Sequence, residues 1–179
     1  MKYILVILSI FGISICYSQN DVKNNEELTK IYKKDQSDRQ AKEIDWNLVT
    51  PRDSIRRMRI LEMSSQDLLQ TSDDFYHAAM VFQHGTDSTS YKKAICFMKS
   101  AIKLDKKRSK WLLAAATDRY LLSVRKPQIY GTQYQKKPFE PWGLAKMDTT
   151  TISDSVRIEF GVRTLSEQQE NLIKMNKSD

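Results

Sequence analysis

The stretch Trp111-Leu112-Leu113-Ala114-Ala115-Ala116-Thr117-Asp118-Arg119-Tyr120-Leu121-Leu122-Ser123-Val124 constrains this chain more than any other. It is built from good helix formers and has no internal Gly or Pro. Apolar residues surround most of the helix that results, which marks a helix buried on several sides. Asp118 and Arg119 lie inside that run. A charge buried there alone would cost several kcal/mol, so each needs a partner or a wet pocket. Just beyond, Pro127 stops the helix, and Gly131 permits a turn that other residues resist. The two charges are therefore expected to meet the segment Tyr130-Gly131-Thr132-Gln133.

Other helices flank this one. Leu28, Ile31 and Tyr32 form one face of a first helix, running to about Ile44. Thr50-Pro51 reads as the cap and first residue of a second, whose Arg52, Arg56, Arg57 and Arg59 form a basic, solvated face. A third runs from Asp73 to His84 on a stripe of Phe75, Ala78, Ala79 and Phe82, and stops at Gly85. Asp87 or Ser88 caps a fourth, through Ala94, Met98 and Ala101 to Leu104, with Cys96 read as a packed small residue. Lys136–Gly143 is irregular or a short extended excursion. Short helices follow, one holding Val156, Ile158 and Phe160, the last starting at Thr164 or Ser166. No alternating strand pattern of convincing length occurs. The fold class is all-α: a helix-hairpin bundle with an irregular segment and short C-terminal helices.

The ends and the charge narrow the setting. Lys2, the apolar run Ile4–Ile15 and Cys16-Tyr17-Ser18 have the anatomy of a secretory signal peptide over residues 1–18. A lipid anchor at Cys16 is the weaker reading, because bulky Ile15 precedes it. Residues 19–27 read as a polar linker, 28–175 as a single domain and 176–179 as a tail. The mature protein is expected in the periplasm or outside the cell, without membrane insertion. Cys96 alone then remains, so the domain has no internal disulfide and stands on its core. The chain of 179 residues carries a net charge of +7. Its Lys and Arg are scattered and not interleaved with aromatics, which argues against nucleic acid. His77 and His84 are seven apart, an awkward spacing for one metal ion, and no Cys pair or phosphate loop appears. No metal and no cofactor is expected.

Two resemblances follow. Ala94, Met98 and Ala101-Ile102-Lys103-Leu104-Asp105, with Trp111 after them, resemble the junction of two tetratricopeptide repeats. More specifically, Asp35-Gln36 with Arg39, Gln83-His84, Asp118-Arg119, Pro127-Gln128 and Tyr130-Gly131-Thr132-Gln133 are similar to a bacterial domain family of unknown function. That family's signature is Pro-Gln-x-Tyr-Gly-Thr-Gln after an Asp-Arg helix. Val156-Arg157, Gly161-Val162 and Leu165 resemble its tail. The resemblance implies a fold and a residue set, and no reaction.

Three roles fit that set. Asp35, Arg39, Asp118 and Arg119 can pair as a buried network. Arg119, with Asp35, Gln36, Arg39, His77, Gln83, Gln128, Tyr130, Gly131, Thr132 and Gln133, can line a pocket for a small anionic ligand or a peptide. His84 as acid/base, with Asp118 orienting it and Arg119 clamping an anion, would make a hydrolase or transferase. The expected function is binding, with catalysis as the alternative.

Overall fold

The computed structural model describes residues 22–178, and the signal-peptide reading and residues 19–21 lie outside them. Seven α-helices and one two-stranded hairpin are present among the described residues: α1 Glu26–Gln40, α2 Trp46–Ser65, α3 Ser72–Phe82, α4 Ser88–Leu104, α5 Trp111–Ser123, β1 Tyr134–Gln135, β2 Gly143–Leu144, α6 Asp154–Glu159 and α7 Leu165–Lys177. The fold is all-α. None of the described helices is long and apolar enough to cross a membrane.

All but α5 and α6 start where short polar side chains replace missing backbone partners. Asn25 accepts from Leu28 N, Asp45 from Asn47 N and Asp87 from Ser90 N. Thr71 with Asp74 and Thr164 with Glu167 form capping boxes. Three ends are closed by a residue in left-handed backbone, Asp67 (φ 54°), Arg125 (φ 61°) and Gly161 (φ 71°). After α5 the Lys126 N–H bonds to Leu121 O and the Arg125 N–H to Leu122 O, so the chain turns before Pro127 is reached.

Two elements differ from the sequence reading. α1 begins at Glu26, not Leu28, and residues just before it are pinned to α3: Asn24 bonds Asp73, and Asn25 N–H bonds Asp74. α2 begins at Trp46, so Pro51 lies inside it rather than at its start. Lying past the first turn, Pro51 cannot give the hydrogen bond that the Asn47 carbonyl would otherwise accept, so the longer helix costs one backbone bond there.

The main core joins Leu28, Ile60, Met63, Ala78, Ala79, Val81, Phe82, Ala94, Met98, Leu112 and Ala116, from α1 to α5. Alanines on α3 and α4 let those antiparallel neighbours approach closely. A second cluster, Ala114, Tyr130 and Val162, lies on the other side of α5 with Ile129, Val156 and Phe160. α5 is thus apolar nearly all round because it faces two cores. Cys96 is exposed rather than packed. On α7, Leu172 is buried, while Ile173 is 48 % exposed.

Candidate functional site

Asp118 organises the turn after α5. Its side chain is fully buried. Oδ1 accepts the N–H groups of Ile129 (2.9 Å) and Tyr130 (3.0 Å), and Oδ2 accepts the Thr132 N–H (2.9 Å) and Oγ1–H (2.8 Å). Four donors on one carboxylate satisfy the charge without a cation. Gln128, also fully buried, closes the loop. Its Oε1 accepts from Gln133 N–H, and its Nε2 donates to the carbonyls of Gln133 (2.9 Å) and Ala145 (3.0 Å). Gln128 also forms an isolated parallel bridge with Met147, so the irregular segment folds back over the turn. Gly131 (φ 84°) completes it in a conformation that a side chain would resist. The Tyr130 ring packs on Phe160 at 4.9 Å in the second core, and burial raises its phenol above the usual range.

A second group gathers where α1, α2 and the end of α3 meet. Asp35, fully buried, receives Arg39 Nη1 (2.9 Å) and Gln36 Nε2 (2.8 Å) and lies 3.0 Å from His84 Nδ1. Arg39 also bonds Asp53 at 2.5 Å, and Arg56 joins Asp53 (3.1 Å) to Asp38 (2.6 Å). Arg56 therefore points into a buried ion network, not to a solvated basic face. The Arg56 guanidinium holds the Asp38 carboxyl below the usual range through its hydrogen bond. The His84 tautomer with its proton on Nδ1 fits both contacts: it donates to Asp35 and accepts at Nε2 from Gln83 Nε2 (2.9 Å).

Arg119 joins the two groups. Its Nη1 donates to the Gln83 carbonyl (2.7 Å) and its Nε to Gln133 Oε1 (3.1 Å), while Gln133 Nε2 donates to Thr132 Oγ1. The carboxylate against His84 is thus Asp35, and Asp118 is committed to backbone. His77 stands apart. Its ring stacks on Tyr32, with centroids 4.2 Å apart, and its Nδ1 is buried without a partner.

His77 has a measurable consequence. Burial, the largest cause, lowers its pKa, against the pull of Asp73 and Asp74. The unfolded histidine takes up its proton near pH 6.5, before the folded one does. This contribution to stability is therefore complete above about pH 6.5 and is lost as the pH falls below it. Urea denaturation at pH 7.5 and 5.5 should show a fall in stability that His77→Phe, which keeps the stack on Tyr32, reduces. An unchanged fall in that variant would refute the assignment.

Arg119 and Gln133 line a cavity of about 380 Å³ with Thr86, Tyr91, Leu122 and Ser123. Three of the guanidinium's five N–H donors have no partner among the described residues, and no carboxylate pairs with it. Burial, the largest cause, pulls its pKa down, opposed by Tyr91 and reinforced by the charge of Arg39. The arrangement suits an anion better than proton transfer: His84 does not line the cavity, and both its ring nitrogens are engaged. Among the described residues, no three His, Cys, Asp or Glu side chains converge as metal ligands would.

The sequence reading did not single out Asp38, Asp53, Arg56 or Gln168 as site residues. Asp53 and Arg56 had a signal: with Val49, Ile60 and Met63 they form one three-and-four-spaced stripe. Gln168 had none. Comparison with protein-family models, with curated proteins and with solved structures found no match.

Proposed function

We propose that this protein is an exported binding module that holds a small anionic ligand, or an anionic group of a peptide, against Arg119. One observation carries the reading: a half-buried guanidinium, short of a carboxylate partner, faces an open cavity with free donors. Leaving a cation so enclosed is costly, and a carboxylate or phosphate oxygen would offset that cost. The larger cleft between α1 and α2 is a poorer candidate, since Asp38 already pairs with its Arg52 and Arg56. The likeness to a bacterial family of unknown function fits this reading and adds no reaction to it.

Calorimetric titration with inorganic phosphate, citrate and a peptide with a free C-terminal carboxylate tests it. Arg119→Ala should weaken binding at least tenfold, about 1.4 kcal/mol, within the usual range for a charged hydrogen bond. His84→Ala should change it less. The reverse order would count against the proposal.

The second reading, a hydrolase or transferase with His84 as acid/base, draws on the Asp35 contact, which holds the ring as an orienting carboxylate would. It requires Gln83 to release His84 Nε2. Turnover of an ester, phosphoester or glycoside substrate that His84→Ala abolishes would favour it over simple binding.

A further inference from the structure

The turn has a second concave side. A cavity of about 360 Å³ there is lined by Trp111, Gly131, Thr132, Tyr134, Gly161, Val162, Arg163 and Gln168. Three features set its chemistry. Trp111, at the start of α5, is 45 % exposed, so an indole is offered to the cavity rather than buried in a core. Gly131 (φ 84°) and Gly161 (φ 71°) keep two sides free of side chains. Gln168, 1 % exposed, supplies an unsatisfied acceptor.

The Gln168 amide is oriented by its own bonds. Nε2 donates to the carbonyls of Tyr130 (2.8 Å) and Arg163 (2.9 Å), which fixes which end is oxygen. Oε1 is left beside Gly131, 2.1 Å from the point where a Cβ on that residue would stand, and nothing bonds to it. A buried acceptor without a partner is costly and rare, so one just beneath the lining of a cavity points to a donor brought by a ligand, which reaches it once the residues over it part slightly.

The requirement selects a class. A carboxylate or phosphate oxygen would face Oε1 with like charge. A sugar ring carries donor hydroxyls at its edge and C–H groups on its face, which match the acceptor and the indole together. Arg163, exposed at the rim, can donate to ring or hydroxyl oxygens. We propose that this cavity binds a neutral saccharide unit, with its apolar face on Trp111 and a hydroxyl donating to Gln168 Oε1. The site is separate from the anion cavity and does not depend on it.

The test uses N,N'-diacetylchitobiose, maltose and adenosine as probes, read by saturation-transfer NMR on the purified domain. A Trp46→Phe/Trp142→Phe chain, which keeps Trp111 as its one tryptophan among the described residues, reports location by fluorescence. The expected result is saturable binding of a saccharide with a shift in Trp111 emission. Trp111→Ala, at an exposed position, should weaken that binding more than tenfold while circular dichroism is unchanged, and Arg163→Ala should weaken it severalfold. Absence of saturable saccharide binding, binding that survives Trp111→Ala, or binding of adenosine in place of the saccharides would each overturn the proposal.

Discussion

Replacing Asp118 with alanine is expected to lower the unfolding free energy by about 3–5 kcal/mol, the scale for removing one partner of a buried charged interaction. The carboxylate is the shared acceptor of three backbone N–H groups and one hydroxyl between Ile129 and Thr132. Without it those donors stay enclosed and unpaired, and each carries its own desolvation cost of about 1–3 kcal/mol, partly relieved if the loop opens to water. For a chain of this size the melting temperature should fall by roughly 6–20 °C. Asp118→Asn keeps the volume and one acceptor oxygen but turns an NH₂ toward N–H donors, so about half the loss is expected. Urea denaturation followed by circular dichroism measures both. A loss below about 1 kcal/mol in the alanine variant would show that the turn does not depend on this carboxylate. The same variants should weaken anion binding, because Gln133, which holds Arg119 Nε, is set by the turn.

How much of this was legible depends on sequence distance. The meeting of Asp118 with residues 129–132 could be expected, because a charge in an apolar helix must be satisfied nearby and a glycine turn follows at once. α4 was readable from its Asp87 cap to Leu104 for the same local reasons. The start of α2 was not: Trp46 and Leu48 are exposed and only Val49 is buried before Pro51, so no apolar periodicity announces those turns. The residue type of Arg56 suggests solvent, while its register with Val49, Asp53, Ile60 and Met63 places it inside. The Asp35–His84 contact joins residues 49 apart in the chain, and nothing local in either helix encodes the pairing. Gln168 reaches Tyr130 across 38 residues in the same way. Local rules named the polar residues, and tertiary packing chose their partners.

Asp35→Ala is the other change expected to cost about 3–5 kcal/mol, for a different reason. Asp35 is fully buried and holds Arg39 at 2.9 Å and His84 at 3.0 Å, with Arg56 at 3.9 Å. Its removal leaves Asp53 and Asp38 to balance both guanidiniums, Arg39 with Asp53 and Arg56 with both. Arg39→Ala should also destabilise, and the double variant should lose less than the sum of the two, with a coupling of about 1–3 kcal/mol. A double-mutant cycle in urea reads this directly. The size of the single loss also bears on function. A large loss with strong coupling to Arg39 means that the carboxylate serves to hold Arg39, whose other bond to Asp53 joins α1 to α2, and His84 is held in passing. If Asp35→Ala were nearly neutral, with no coupling to Arg39, the ion network would not explain a buried carboxylate. Its bond to His84 would then be its main consequence, and the acid/base reading of that histidine would gain what anion binding at Arg119 loses.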